Sequence, residues 1–366
     1  MENTTNASIS ADTGPNQVFP AAVRYSYIVY YIIIFLLATV GNIFALLTCY
    51  KSYRETTSVL LCFIASLSSA DLLFTLLTPI DLAAFLAGAW VSGKVLCPVQ
   101  SFLIESSYTA SILTLAAISH ERLVAVSSPL LARSQRVNQR KFIPLLIWAL
   151  SLVLCSPLLY AYRITSGDGS PLQCVNTAWG NKGRQIYYSI QGVSLFIVPL
   201  SYMSWAHYKI FKSLKKHQLA RARLASKTPS LKEGFNEKKI TKMLAIVTLI
   251  FVACYFPFLA VRSLRYFHVY SGDMVWRCVQ LMIFTQAAVN PVIYCFYSKQ
   301  FRGVFKELLR CRWAAVNRKK TEQPLRSRSR TSSSVFQSGS VHLNVIYDPE
   351  KVSRVPNGLV EGDRGP

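Results

Sequence analysis

The chain has 366 residues, and its 40 Lys and Arg against 17 Asp and Glu give a formal net charge of +23. Only 16% of the residues are charged, whereas 52% are hydrophobic and 12% are aromatic. Soluble globular domains hold about a quarter charged residues, and disordered chains lack the apolar residues needed for burial. The composition therefore excludes an ordinary soluble domain and a largely disordered chain, and it indicates a membrane protein.

Seven apolar stretches are long enough to cross a hydrocarbon core of about 30 Å, for which about 20 helical residues suffice. They cover residues 25–50, 58–86, 96–126, 142–162, 185–211, 239–264 and 275–297. The first 24 residues lack an apolar signal-peptide core, so the first span is expected to direct insertion itself. This pattern predicts an all-α fold, a seven-transmembrane helix bundle over residues 25–298 that follows a short translocated tail, residues 1–24.

The distribution of basic residues predicts the orientation in the membrane. The segments around 51–54, 122–141 and 209–242 and everything after 298 hold 32 of the 40 Lys and Arg, and the opposite side holds the other 8. Lys and Arg accumulate on the cytoplasmic side, so the N-terminus is expected outside the cell, with glycosylation acceptors at Asn3 and Asn6. Charge beside membrane spans also favours attraction to membrane lipid, and no nucleic-acid partner is expected.

Polar residues and prolines lie inside the apolar stretches, where lipid exposure would leave them without partners. In chain order these motifs are Gly41-Asn42, Leu67-Ser68-Ser69-Ala70-Asp71, Glu121-Arg122-Leu123, Trp148, Pro199, Cys254-Tyr255-Phe256-Pro257 and Asn290-Pro291-Val292-Ile293-Tyr294. Over residues 25–309 they resemble the rhodopsin-like (class A) G-protein-coupled receptors, most closely the neuropeptide-type receptors. The resemblance implies a receptor for an extracellular ligand that activates a heterotrimeric G protein by movement of the sixth helix.

Residues near the ends of spans three and six form the first group of candidate switch residues. The resemblance implies that Arg122 is held by the neighbouring Glu121 in the inactive receptor and is released for the G protein. Glu237, just before span six, is a candidate second carboxylate for the same guanidinium. The alternative is that these are interfacial charges, since an exposed ion pair contributes only about 0–1 kcal/mol.

A second group of candidate switch residues lies deeper in spans six and seven. A proline removes a backbone hydrogen bond and is expected to kink span six, where helical spacing places the aromatic residues on one stripe. The resemblance implies that this stripe converts ligand contact into helix movement, with plain packing as the alternative. The implied switch positions are Phe251, Tyr255, Pro257, Asn290, Pro291 and Tyr294.

A candidate sodium site follows from the same resemblance, because Asp71, Ser111 and Asn290 would face one another in such a bundle. Their oxygens suit a hard cation, and sodium in many family members restrains the inactive state as an allosteric ion. No other cofactor is expected. Span seven carries Gln286-Ala287 where the family usually has Asn-Ser, so a protonated Asp71 in a hydrogen-bonded network is the alternative.

Cysteines and the C-terminal segment carry further expectations. Of nine cysteines, Cys97 and Cys174 fall at the outer face, and the family resemblance implies a disulfide between them. Residues 299–311 place apolar side chains on one face, which predicts an amphipathic helix with palmitoylation at Cys311. The tail 312–366 is expected to be disordered, and its Arg-Ser run suits a kinase and then arrestin, with a solvated spacer as the alternative.

The ligand pocket is predicted at the outer ends of the spans. Amine receptors place an Asp where this chain has Ile104, and span seven has no Lys for retinal, so both ligands are disfavoured. Arginines and carboxylates near this end favour a peptide, with a small acidic or lipid ligand as the alternative. The candidate ligand contacts are Asp81, Ile104, Glu105, Tyr108, Phe258, Arg262 and Gln280.

Transporters and membrane enzymes are the two other classes of membrane protein that compete with a plasma-membrane receptor. A transporter would need matching halves or broken helix pairs, and the sequence shows no matching halves. An enzyme would need a nucleophile or metal set, and the sequence contains neither His-x-x-x-His nor Gly-x-Ser-x-Gly. The sequence therefore predicts a receptor and not an enzyme, with a transporter as the alternative from a different class.

Overall fold

The computed structural model describes residues 20–55, 59–127, 140–166, 171–224, 231–270, 272–297, 301–303 and 306. Within these residues seven helices are long and apolar enough to cross a membrane, which confirms the predicted bundle. They are called helices 1 to 7 in chain order. Helices 1 to 3 are Ala21–Glu55, Val59–Ala87 and Gly93–Ser127, and helix 4 is Ile143–Cys155 followed by Leu158–Ala161. Helix 5 is Gly180–Gly192, a π-helical turn Val193–Ile197 and Val198–Leu224, and helices 6 and 7 are Leu231–Tyr266 and Asp273–Tyr297.

The surface and the interior of the bundle are both apolar. Large side chains such as Leu146, Val153 and Leu249 are exposed on the outside of the helices, as expected where lipid replaces water. In lipid every backbone polar group needs a partner within its own segment, and this requirement favours long helices. Small residues let helices approach closely, and a Cβ added to Gly41 would lie 2.9 Å from the Cβ of Pro291 in helix 7.

An aromatic cluster forms the centre of the bundle. Phe251 stacks on Tyr255 with 4.1 Å between ring centroids, and Phe196 of the π-helical turn lies 6.3 Å from Phe251. Tyr255 meets Tyr108 of helix 3 edge to face at 5.3 Å. The stripe predicted on helix 6 is therefore buried, and it contacts helices 3 and 5.

Some prolines lie in continuous helices, whereas others lie at or near an irregularity of the helix. Helix 6 runs unbroken through Pro257, and helix 7 runs unbroken through Pro291. Helix 4 is interrupted at Ser156 and Pro157. In helix 5 the π-helical turn ends two residues before Pro199, and the missing proline N–H leaves the hydrogen-bond ladder incomplete there. Neither the π-helical turn nor the interruption of helix 4 was predicted from the sequence.

A two-stranded antiparallel hairpin connects helices 4 and 5, which adds a small sheet to the predicted all-α fold. Strand β1 is Arg163–Thr165 and strand β2 is Gln173–Val175, with Ile164 opposite Cys174. The disulfide between Cys97 and Cys174, with 5.6 Å between their Cα atoms, joins β2 to the start of helix 3 and confirms the expected pairing. The end of the bundle that carries this hairpin is called the hairpin end.

Helical structure extends past several predicted span boundaries. Helix 5 continues to Leu224 and helix 6 begins at Leu231, because charged residues can continue a helix into water. Residues 301–303 are helical, and Phe301 packs on Tyr294 with 5.5 Å between ring centroids. The other predicted features of the two ends, Asn3, Asn6, Cys311 and the tail after residue 312, lie outside the described residues.

Candidate functional site

A cavity of about 730 Å³ lies at the hairpin end. Helices 1, 2, 3, 6 and 7 and strand β2 form its wall, with the disulfide at Cys174 beside it. Its volume falls in the range of pockets that hold small-molecule ligands, about 300–1,000 Å³. All seven candidate ligand contacts line this one cavity: Asp81, Ile104, Glu105, Tyr108, Phe258, Arg262 and Gln280.

A buried ion pair joins helix 3 to helix 6 in the wall of the cavity. Nη1 of Arg262 donates to Oε1 of Glu105 at 2.5 Å, and the two side chains are only 6% and 10% exposed. Gln191 of helix 5 donates to Oε2 of Glu105 at 3.0 Å. The guanidinium also lies over the rings of Tyr188 and Phe258, 4.6 and 5.0 Å from their centroids. Arg262 therefore turns into the bundle and does not extend to the membrane interface.

Sequence reasoning missed two partners of this ion pair, Tyr188 and Gln191. A signal was present, because the two residues are three positions apart and therefore share one face of helix 5. An amide inside an apolar span also needs a partner. What the sequence could not supply was the rotation of helix 5 that turns this face toward Glu105.

A second ion pair lies at the exposed rim of the cavity. Nη1 of Arg265 donates to Oδ1 of Asp273 at 3.1 Å, with the side chains 29% and 55% exposed. Exposed pairs of this kind contribute about 0–1 kcal/mol. The rim pair therefore contrasts with the buried pair of Glu105 and Arg262 in the same cavity.

The residues of the predicted polar cluster, Asp71, Ser111 and Asn290, lie close together in the middle of the bundle. Nδ2 of Asn290 donates to Oδ2 of Asp71 at 2.7 Å, and Ser111 lies near the same carboxyl group. Within the described residues, buried Oδ1 of Asn290, Oδ1 of Asn42 and Oγ of Ser68 have no hydrogen-bond partner. Oxygen atoms of this kind fit a hard cation or ordered water. The occupant of the cluster stays a prediction.

At the charged end of helix 3, Glu121 has a partner that was not predicted from the sequence. Oε2 of Glu121 accepts from Nη1 of Arg140 at 2.6 Å, with the two side chains 16% and 17% exposed. Neighbouring residues of a helix point about 100° apart, so Glu121 and Arg122 face different surroundings. Glu237 belongs to helix 6, but its side chain lies outside the described residues. The clasp around Arg122 stays a prediction.

Comparison with known proteins places the chain in a family. The family model for the 7 transmembrane receptor (rhodopsin family) matches residues 41–294. The chain therefore belongs to the rhodopsin family of seven-transmembrane receptors, which are receptors and not enzymes. It is a multi-pass membrane protein.

Several receptors are similar to this chain over most of its length. The QRFP-like peptide receptor of Branchiostoma floridae is 28% identical over 313 residues, which cover 81% of this chain and 80% of that receptor. Galanin receptor 2b of Danio rerio is 30% identical over 306 residues, with 81% and 77% covered. The C-X-C chemokine receptor type 1 of Oryctolagus cuniculus is 28% identical over 302 residues, with 79% and 80% covered.

Removal of the disulfide should destabilise the hairpin end. Cys97→Ala and Cys174→Ala are each expected to lower the free energy of unfolding by about 2–5 kcal/mol and to reduce surface delivery. The double variant should be no worse than either single variant, because both substitutions break the same bond. Surface immunodetection and thermal unfolding in detergent measure the effect. Cys278→Ala, at an exposed free cysteine at the start of helix 7, is the matched control, and additive losses would contradict the prediction.

Proposed function

We propose that this protein is a plasma-membrane receptor that binds an extracellular peptide in the cavity and activates a heterotrimeric G protein. The observation that carries the proposal is the cavity itself, whose wall combines arginine and carboxylate side chains with aromatic rings. A peptide offers groups of both charge signs together with apolar side chains and backbone donors and acceptors. Such a ligand matches more of this wall than a purely acidic or purely apolar one.

The relatives support a peptide ligand. One of them is named as a receptor for a QRFP-like peptide, and two others are named as a galanin receptor and a chemokine receptor. Their identities to this chain lie between 28% and 30%. Similarity at this level supports the class of ligand, and it leaves the particular peptide open.

The proposed orientation places the N-terminus and the hairpin end outside the cell. Disulfides form and persist in oxidising compartments, so the bond between Cys97 and Cys174 favours an extracellular hairpin end. The 32 basic residues of the opposite side suit the cytoplasmic face. The cavity would then open to extracellular ligands, and Arg122 would face the G protein.

Helix 6 offers a continuous route from the cavity to the centre of the bundle. Arg262 and Phe258 line the cavity, and Tyr255 and Phe251 follow one and two turns further along the same helix. A small second cavity of about 40 Å³ adjoins Arg262, Tyr255 and Phe251, so the packing around these side chains is not completely filled. Ligand contact at Arg262 or Phe258 is therefore proposed to shift helix 6.

A peptide-library screen on cells that express the chain tests the proposed function. Signalling is read through several G-protein subtypes, and cells with the Arg122→Ala variant serve as the matched control. A peptide hit that activates nucleotide exchange only with the unsubstituted receptor supports the proposal. Responses to a parallel library of small carboxylic acids, without any response to peptides, would replace the peptide by a small acidic ligand.

Sodium is proposed to bind at Asp71, Ser111 and Asn290 and to hold the inactive arrangement. Replacing sodium by N-methylglucamine is then expected to raise agonist affinity about fivefold or more, a typical allosteric coupling. Asp71→Asn should remove the difference between the two salts, because the amide lacks the charge that attracts the ion. Agonist binding measured in both salts checks the prediction, and a difference that persists in Asp71→Asn would assign the effect to another site.

Phosphorylation of the Ser-rich run at residues 326–334, arrestin binding, and palmitoylation at Cys311 stay predictions, because these residues lie outside the described part of the chain. They concern regulation of the proposed receptor, and the ligand assays above do not depend on them.

A further inference from the structure

Not every charged side chain in the cavity wall forms an ion pair with another one. Seven charged side chains line the cavity: Arg24, Asp81, Glu105, Arg262, Arg265, Asp273 and Arg277. Within the described residues, Glu105 is paired with Arg262, and Asp273 is paired with Arg265. For the third carboxylate, Asp81, the structure shows no ion pair within 4.0 Å among those residues. Asp81 is therefore the carboxylate that the wall leaves for another cation.

A neutral residue of helix 3, Gln100, lies beside Asp81. Nε2 of Gln100 donates to the backbone carbonyl of Leu77 in helix 2 at 3.2 Å. A neutral amide compensates only part of the cost of taking a carboxylate out of water. Gln100 therefore leaves the charge of the carboxylate without full compensation.

Aromatic rings line the same cavity as this carboxylate. Tyr27, Tyr31 and Tyr108 line the cavity and are electrostatic neighbours of Asp81. Tyr27 also packs on Phe85 with 4.6 Å between ring centroids. Ring faces attract cations, and they do so more strongly where water is excluded. A carboxylate among such rings is the arrangement that recognises an ammonium or guanidinium group.

One cation of the wall that acts on Asp81, Arg277, contacts other residues. Its guanidinium lies 5.0 Å from the ring centroid of Phe85, and its Nη1 donates to Oε1 of Gln280 at 3.4 Å. It stays within electrostatic range of Asp81 without forming the ion pair. Arg277 therefore reduces the negative potential at Asp81, which lines the cavity without an ion pair among the described residues.

We propose that Asp81, with the rings of Tyr27, Tyr31 and Tyr108, forms a subsite that binds a cationic group of the ligand, a guanidinium or ammonium of a peptide. The inference rests on the proposed function, because it names the ligand chemistry of the same cavity. A guanidinium can pair with both carboxylate oxygens at once. A basic peptide side chain or amino terminus is therefore the feature that this receptor selects.

Affinity selection on the purified, detergent-solubilised full chain tests the subsite without any signalling step. The probes are short synthetic peptide pools that differ only in one fixed residue, arginine or its uncharged counterpart citrulline, and retained peptides are quantified by mass spectrometry. The unsubstituted protein is expected to retain the arginine pool at least about tenfold better. Asp81→Asn should bring the ratio close to one, whereas Asp273→Asn, whose side chain is 55% exposed at the rim and screened by water, should lower it far less.

A second variant distinguishes a specific loss of binding from misfolding, because it is expected to increase the preference. Arg277→Gln removes a like charge that competes with the ligand cation, so the preference for the arginine pool should rise several-fold. A gain of this kind cannot come from an unfolded protein. Equal retention of both pools by the unsubstituted protein, an unchanged preference in Asp81→Asn, or a lower preference in Arg277→Gln would each overturn the subsite.

The same variants separate this inference from the proposed function. Retention that depends on Asp81 without nucleotide exchange on any G protein would support the cationic subsite and overturn the signalling role. Peptide-driven exchange that is identical in Asp81→Asn would support the receptor and overturn the subsite.

Discussion

Replacing Arg122 with alanine is expected to abolish agonist-driven nucleotide exchange on the G protein and to leave surface expression and ligand binding intact. Arg122 lies in the last two turns of helix 3, which ends at Ser127. Seventeen positions separate it from Glu105 in the cavity wall, which corresponds to about 25 Å along a helix. The substitution therefore cannot alter ligand contacts directly. Binding of a labelled guanine nucleotide to membranes, with and without agonist, measures the effect.

Arg140→Ala is the matched control for this prediction. Arg140 lies at the same end of the bundle and carries the same charge, but its guanidinium pairs with Glu121 and it is not one of the residues proposed to contact the G protein. Agonist-driven exchange should therefore persist in Arg140→Ala. Normal exchange in a well-expressed Arg122→Ala receptor would remove Arg122 from the coupling step.

The bundle was predictable because the membrane restricts the choice of fold. An apolar run of about 20 residues in lipid has essentially one stable form, a helix, so hydropathy alone located all seven spans. The ends of helices 5 and 6 were not predictable in this way. Their extensions to Leu224 and from Leu231 contain many charged residues, and hydropathy cannot distinguish a solvated helix from a loop.

Local irregularities such as the π-helical turn and the hairpin were not predicted, because the sequence does not distinguish them from regular structure. Pro199 follows a π-helical turn, whereas Pro257 and Pro291 lie in continuous helices. All three prolines remove one backbone donor. The presence of a proline alone therefore does not predict whether the helix around it stays regular. The hairpin was not predicted either, because strands of three residues are too short to show an alternating pattern of apolar and polar residues.

The residues of the cavity were predicted, but the sequence left open which carboxylate, Glu105 or Asp81, pairs with Arg262. Asp81, Glu105 and Arg262 were placed at one end of the bundle by span position and by resemblance, and they line one cavity. The pairing of Glu105 with Arg262 rather than Asp81 depends on helix rotation. A π-helical turn also rotates the preceding part of helix 5 relative to a regular helix, and this part carries Gln191.

The buried pair of Glu105 and Arg262 is expected to be strongly coupled. Removing one member leaves the other charge buried without its ionic partner, which costs about 3–5 kcal/mol. Glu105→Gln and Arg262→Gln should therefore each lower the thermal stability of the purified receptor substantially. The double variant should lose far less than the sum of the two, because it leaves no unpaired charge. Thermal unfolding in detergent, measured for all four proteins, gives the coupling energy.

The rim pair provides the matched control for this cycle. Arg265→Gln and Asp273→Asn remove an ion pair of the same chemistry from the same cavity, but the two side chains are 29% and 55% exposed. Their coupling should therefore stay within about 0–1 kcal/mol. Equal coupling energies for the two pairs would contradict the role given to burial.

Arg262→Lys separates the charge of this residue from its shape. The planar guanidinium contacts Glu105 and lies over the rings of Tyr188 and Phe258, and a compact ammonium on a flexible stem cannot reproduce that arrangement. Arg262→Lys is therefore expected to lower agonist potency at least about tenfold, roughly 1.4 kcal/mol, with expression and basal activity retained. Concentration–response curves for a peptide hit measure the shift. Unchanged potency would mean that only the positive charge matters at this position, and the ring contacts would then have no part in ligand recognition.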